Sequence, residues 1–345
     1  MSDQFRRDYY ERRKSALKLD QSSFNPHYKD LSLYISPRRG RFELTDVNKG
    51  QKRHKEIINS KGTQALNTAS AGLFAGVMSP ARPWFELGVP DPEMTKFAPV
   101  KAWLKQIEMT MRAIFNSSNL YTMAPVMLKE LLLFGTGCMT HVDDPDDLAR
   151  FYTHTAGSYY IGQDDRFRVN TIIREYTQTA EQMAIEFGLE SLSVAVKNNI
   201  DQGNLAATTI VTHIIEPNDD FRAGHFMSKF KKFKSIKYEA GNAEKHVFLS
   251  EKGFDEFPAY VPRWDVTGED TLGTDCPGMT TLGDVKQLQI QEKRKAQGID
   301  KMVNPPLHGP ASVRNVPVSS LPGGLTLYDA TTGSNKLEAL YNVNL

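Results

Sequence analysis

The chain has 345 residues, with 42 Lys+Arg against 41 Asp+Glu, 40% hydrophobic residues and 10% aromatic residues. That apolar content excludes wholesale disorder, and a net charge of +1 excludes a chain-wide basic surface built to grip nucleic acid. Two distant cysteines, Cys138 and Cys276, exclude a disulfide framework and a CxxC metal knuckle.

At roughly 100–200 residues per domain, the length predicts two or three domains. The start, MSDQFRR, lacks the apolar run of a secretory signal. The longest apolar stretches, 69–78 and 126–134, are shorter than the ~20 residues a bilayer crossing needs. The expectation is a soluble protein made in a cytoplasm, its two cysteines buried or half-buried thiols.

Residues 3–19 predict a charged helix with Phe5, Tyr9, Ala16 and Leu19 on its apolar stripe. Residues 22–39, with Pro26 and Pro37, read as a surface loop. Thr45 to Asn48 offer N-caps for a helix running through Ile57 and Ile58 into 65–78. Its small residues, with Gly72 and Gly76 at G-x-x-x-G spacing, predict close helix packing. Arg82-Pro83-Trp84-Phe85 then falls in a short strand between prolines. These four residues read as structural, and Trp84→Ala should cost about 3–5 kcal/mol.

Helical spacing covers 96–116 and 120–134, ending at Gly135-Thr136-Gly137. A strand starts at Cys138 and runs into the acidic turn 143–147. Residues 150–176 alternate like strands around a turn at 162–165. Two short helices (179–188, 189–199), a strand (208–216), a hairpin (233–238 with 246–249) and a last strand (258–264) follow. Thr281–Val303 is helical again, a rod of ~35 Å stopped by Asn304-Pro305-Pro306. The Pro- and Gly-rich tail holds a predicted strand at 325–328 and too few large apolar residues to build a core alone.

There is no phosphate loop, no G-x-S-x-G elbow and no H-E-x-x-H. Gly135-Thr136-Gly137 begins like a dinucleotide fingerprint, but Thr140 holds the third glycine's place, which favours a helix C-cap. The eight histidines never pair at i, i+3 or i, i+4, so no metal or cofactor site is assigned. Asp143–Asp147 lacks the alternating ligands of a calcium loop. The stretch 229–238, KFKKFKSIKY, has the basic-aromatic mix that suits single strands. The favoured alternative is an edge strand whose lysines discourage pairing with other sheets.

In order along the chain stand four blocks: GRFELTDVNKGQKRHKEIINSKGTQALNTASAGLFAGVMSPARPWFEL (40–87), SSNLYTMAPVMLKELLLFGTGCM (117–139), FKSIKYEAGNAEKHVFLSEKGFDEFPAYVPRW (233–264) and GEDTLGTDCPGMTTLGDVKQLQIQEKRKAQGIDKMVNPP (268–306). Together they resemble the head-to-tail connecting (portal) proteins of short-tailed, T7-like bacteriophages, from about residue 34 onward. One departure is Leu272-Gly273, where the family commonly has Tyr-Gly. Family chains also continue into a second long helix, a tunnel loop and a helical crown, which have no counterpart before Leu345.

The resemblance implies an α+β portal fold: a wing over 1–277, helical up to about 80, a stem helix over 278–303 and a clip segment over 304–345. It implies a structural, non-enzymatic virion protein made in the bacterial cytoplasm. Twelve copies would ring the capsid portal vertex, and double-stranded DNA would pass through during packaging and ejection. Partners would be terminase, head-tail adaptor and tail proteins, and major capsid and scaffolding proteins, with no membrane. Lys286, Lys293, Arg294 and Lys301 are the DNA-channel candidates. At 100° per residue Lys286, Lys293 and Lys301 fall near one line, and Leu282, Leu288 and Ile299 fall elsewhere and would pack between subunits. The alternative is a sequence-blind nucleic-acid-binding protein of phage DNA metabolism.

Overall fold

The computed structural model describes residues 3–42, 55–242, 248–305, 307–308 and 338–339. Its helices are α1 (Asp3–Gln21), α2 (Asn25–Tyr34), α3 (Lys61–Val77), α4 (Pro92–Lys96), α5 (Ala98–Ser117), α6 (Leu120–Phe134), α7 (Ala180–Phe187), α8 (Val194–Asp201) and α9 (Pro277–Val303). Its strands are β1 (Cys138–Asp144), β2 (Leu148–His154), β3 (Tyr159–Gln163), β4 (Val169–Thr179), β5 (Thr208–Pro217), β6 (Phe233–Glu239), β7 (Ser250–Phe254), β8 (Ala259–Tyr260), β9 (Leu307–His308) and β10 (Glu338–Ala339). The fold is α+β, as expected, with every strand pairing antiparallel. Two compact units emerge, Met1–His54 with Ser60–Leu282, and Lys55–Asn59 with Gly283–Leu345.

The first unit holds two sheets, β2-β1-β8 and β3-β4-β5-β6-β7. On the smaller sheet sits α6, whose Leu120, Ala124, Met127, Leu128 and Leu131 pack with Met139 and Phe151. The larger sheet buries Tyr160, Ile173, Ile214, Ile236 and Tyr238 against Tyr10 of α1. Helices α7 and α8 cover the sheet's other end through Met183, Val196, Val211 and Leu249. Helix α7 opens on a capping box: the Thr179 hydroxyl accepts from Gln182 N, and the Gln182 amide accepts from Thr179 N.

Several expectations need correction. The α1 stripe is different: Phe5, Tyr9 and Leu19 are exposed, while Arg7 and Tyr10 are buried. Helix α1 docks with polar groups, Arg7 stacking on Tyr238 and Lys14 pairing with Glu175 at 3.0 Å. Residues 22–39 are mostly helical because Pro26 falls in the first turn of α2, where an N–H is not needed. Thr45 to Asn48 lie outside the described residues, and 55–60 form turns, so α3 starts at Lys61 and excludes Ile57 and Ile58.

Helix α3 packs on α6 with Leu66, Ser70, Leu73 and Phe74, yet Gly72 and Gly76 meet nothing within 4 Å. The predicted close packing at these glycines is therefore not made among the described residues. Residue 82 is a bend and residues 83–89 belong to no helix or strand, so the predicted short strand is not formed. The hairpin's return strand is β7, not 246–249, of which 246 and 247 lie outside the described residues. Consequently β6 is paired on both sides and is no edge strand. The strand at 258–264 shrinks to Ala259–Tyr260, flanked by Pro258 and Pro262, which have no N–H to give a ladder. Helix α9 begins four residues before Thr281, with Pro277 leading it. The strand predicted at 325–328 lies outside the described residues. Within the second unit β9 pairs with β10.

Candidate functional site

The candidate site is α9, 27 unbroken residues or ~40 Å of helix. Its root belongs to the first unit. At its start Asp275 Oδ1 accepts from the Cys276 backbone N at 2.8 Å and from the Thr280 hydroxyl at 3.2 Å. The Cys276 thiol donates to Leu133 O at 3.4 Å. Burial pushes that thiol up to about 11, so it stays protonated. The Gly135 backbone caps α6 in the left-handed region (φ 75°). A β-carbon on Gly273 would lie 2.1 Å from Gly135 O, and one on Gly278 2.7 Å from Leu133 O. Thr136 Oγ1 accepts from Gly273 N at 2.8 Å. So Gly135-Thr136-Gly137 is the expected helix cap and also the seat of α9. Leu272 is buried beside it, so the departure from Tyr-Gly leaves a filled site.

The second unit carries the rest of α9. Lys293, Arg294 and Lys301 are exposed and Lys286 is half-buried. At 100° per residue these four span a sector of about 100°. Leu282 and Gln289 are buried on an adjoining stripe. Leu282 packs within its own chain and is not left for a neighbour, whereas Leu288 is half-buried and Ile299 exposed. Gln289 is the chief fixture here. Its Oε1 accepts from Ile58 N (2.7 Å) and Asn59 N (2.8 Å), and its Nε2 donates to Asn59 O (2.8 Å). Asn59 Nδ2 adds a bond to Glu292 at 3.1 Å. One side-chain amide thus acts as a strand partner for 58–59.

Arg82 Nη2 donates to Ala75 O and Gly76 O, both at 3.1 Å, placing a guanidinium at the negative end of α3. Trp84 donates from its indole to Tyr121 Oη at 3.0 Å and stacks on Phe115 at 6.0 Å. Phe85 meets both rings edge-on, and Pro83 is exposed.

The lysine-rich stretch is committed elsewhere. Lys231 pairs with Asp255 (2.6 Å), Lys234 with Glu216 (2.9 Å) and Lys237 with Glu186 (2.6 Å). Phe233 and Tyr238 are buried, so neither offers a stacking face to a base. The acidic turn is closed by Arg150, which pairs with Asp144 and Asp147 and holds the Asp144 carboxyl low. Among the described residues no His/Cys/Asp/Glu cluster is placed to hold a metal, and no helix is long and apolar enough to cross a membrane.

Sequence reasoning missed a polar network joining the two sheets. Arg174 Nε donates to His213 Nδ1 at 3.2 Å, so His213 Nε2–H donates to Ser235 Oγ at 2.9 Å. Arg174 Nη1 reaches His154 Nε2 at 3.4 Å, and Thr140 Oγ1 lies 2.9 Å from the same nitrogen. Burial, then the Arg174 charge, pushes His154 down to about 3 and His213 well below its ordinary value. Only the strand register, Arg174 opposite His213, brings these groups together, and spacing along the chain carries no such signal. A second missed group is buried Glu130, which accepts from Arg39 (3.2 Å), Thr155 (3.0 Å) and Ala156 N (3.2 Å).

The chain matches the family described as bacteriophage head to tail connecting protein over residues 7–345. It is 43% identical to the portal protein of Salmonella phage epsilon15 over 328 residues, 95% of this chain and 59% of that protein. It is 40% identical to the probable portal protein of Bordetella phage BPP-1 over 345 residues, 100% of this chain and 62% of that protein. The chain therefore spans about three-fifths of the length of the curated relatives it matches.

Proposed function

The chain belongs to the bacteriophage head to tail connecting protein family, and from that membership we infer that it is a portal subunit. In this reading many copies, twelve by the family pattern, ring one capsid vertex. Double-stranded DNA passes through the axis during packaging and ejection. Residues up to about 277 are the wing, α9 is the stem helix that borders the channel, and the residues from 304 begin the clip, where terminase and tail adaptors dock. The shell and scaffolding proteins are the wing's other partners. Arg82, Pro83, Trp84 and Phe85 serve the fold of the wing. The chain performs no catalysis, and the motor is a separate terminase. The protein is made in the host cytoplasm and resides in the virion.

The observation that carries the reading is the family match over 7–345. The physics of α9 supports it. Moving DNA must be held without being gripped, since every tight phosphate contact adds counterion-release affinity and hinders sliding. A sector of Lys286, Lys293, Arg294 and Lys301 on each copy gives a ring-wide field that ignores sequence. The alternative, a sequence-blind nucleic-acid-binding module centred on Lys229–Lys237, loses its support because three of its five lysines are paired with acids.

Negative-stain microscopy of the purified full-length protein tests the reading. Closed rings with a central hole are expected. A monodisperse monomer at micromolar concentration would overturn it.

A further inference from the structure

The connection from β5 to β6 is a built loop. Asn218 N donates to Lys232 O at 2.9 Å, and Asn218 Nδ2 donates to Lys229 O (2.9 Å) and Lys231 O (2.8 Å). Arg222 N donates to Phe230 O at 3.0 Å, and the Arg222 guanidinium covers the Phe230 ring at 4.5 Å. This frame presents two large apolar side chains to solvent, Phe226 at 99% exposure and Met227 at 60%. An ordered loop holding a phenylalanine wholly in water has an apolar anchor that the chain itself leaves unused.

The same unit has the converse feature. An open groove of about 640 Å³ runs between Glu86-Leu87 and helices α4 and α5. Leu87, Ala98, Ala102 and Leu104 give it apolar walls, and its volume falls in the range that holds small ligands, enough for two side chains. Lys101 and Glu86 on its rim form no ion pair among the described residues, and neither do Asp219, Asp220 and Lys229 on the loop. Each surface therefore offers both signs of charge to the other.

An anchor and a groove at different places on one chain can join copies head to tail, a heterologous contact, the kind that closes into a ring when the rotation between copies closes. We propose that Phe226 and Met227 of one copy seat in the Ala98–Leu104 groove of the next copy. In this contact Asp219 and Asp220 face Lys101, and Lys229 faces Glu86. The inference rests on the ring reading above and names the contact that builds the ring.

The test uses the full-length protein. Cys138 and Cys276 are both buried, so cysteines introduced on the surface react selectively. Phe226→Cys combined with Ala102→Cys should give an oxidation-dependent ladder of covalent oligomers, with neither single variant giving one. Phe226→Asp should lower the ring fraction about tenfold or more, as loss of a central anchor does, while far-UV circular dichroism and melting stay unchanged. Rings without a ladder, together with intact Phe226→Asp rings, would overturn the contact and leave the ring reading standing. Intact Phe226→Asp rings that no longer enter capsids would also overturn it, assigning the anchor to a shell protein. Absence of rings in the unaltered protein would overturn both.

Discussion

Gly273 and Gly278 act through what they lack. Each sits where a β-carbon would enter van der Waals space already held by backbone carbonyls, so the neighbour cannot simply rotate away. Gly273→Ala should destabilise the chain by about 2–3 kcal/mol, the upper end of overpacking costs. Gly283, in α9 with Gly278, is the control: its β-carbon would meet nothing within 4 Å. There alanine should stabilise by up to ~1 kcal/mol through helix propensity. Thermal melts of the two variants check both, and a common sign would refute the steric argument. Trp84 is half-buried, with an indole hydrogen bond and a stacked partner. Trp84→Ala should therefore cost about 2–3 kcal/mol, below the 3–5 kcal/mol of a fully buried ring. Trp84→Phe keeps the stack and should recover most of that loss. Equal melting temperatures for Trp84→Ala and the unaltered protein would remove Trp84 from the structural role proposed for it.

Elements differ in how openly the sequence declares them. Helix α9 was legible over Thr281–Val303, where helical spacing repeats and Asn304-Pro305-Pro306 stops it, though not in its first four residues. Helices α5 and α6 were legible for the same reason, since regular spacing repeated over several turns outweighs local noise. The α1 stripe was misread because its docking face is made of Arg7, Tyr10 and Lys14, and buried ionic side chains look like a solvated face in a sequence. Helix α2 was hidden by Pro26, which breaks a helix interior but suits a first turn. The return strand β7 was misplaced because its register depends on Phe233 facing Phe254, a tertiary fact. For the candidate site, the cation sector of α9 was visible, and the Gln289 amide that holds 58–59 was not. Nothing in the sequence sets Gln289 apart from Gln287, Gln291 and Gln297 on the same helix. At this scale we expect Lys286, Lys293 and Lys301 changed together to Gln to leave assembled rings intact. DNA packaged per particle or ejection should fall, more at low salt than at high salt, because a screened field is the agent. Unchanged packaging and ejection at both salts would leave these lysines as a solubilising face.

Over the whole molecule, acid and base nearly cancel, with a net charge of +1. No large self-repulsion operates near neutrality, so the response to mild acid is decided by particular buried groups. His154 and His213 dominate that response because the fold refuses them protons: at the junction of the two sheets, with His213 buried and His154 half-buried, both sit beside the permanent charge of Arg174. Above pH ~6.5, the ordinary histidine value, both are neutral folded or unfolded and cost nothing. As pH falls below that, the unfolded chain takes up protons that the folded chain rejects, so stability falls. For His154 the loss continues until its folded value of about 3. Each excluded proton removes about 1.4 kcal/mol per pH unit. Glu130 works the other way, since burial raises its carboxyl and the folded chain takes its proton first. That offset is common to the unaltered protein and to a histidine variant, so the difference in slope between them isolates the histidine. Denaturant midpoints at pH 7.5, 6.0 and 5.0 should therefore fall steadily. In His213→Gln, which keeps a side-chain amide able to meet Arg174 and Ser235, the slope should be shallower by about one proton. A pH slope identical in the variant would mean that His213 accepts a proton in the folded state, and that the junction between the sheets is wetter than its geometry indicates.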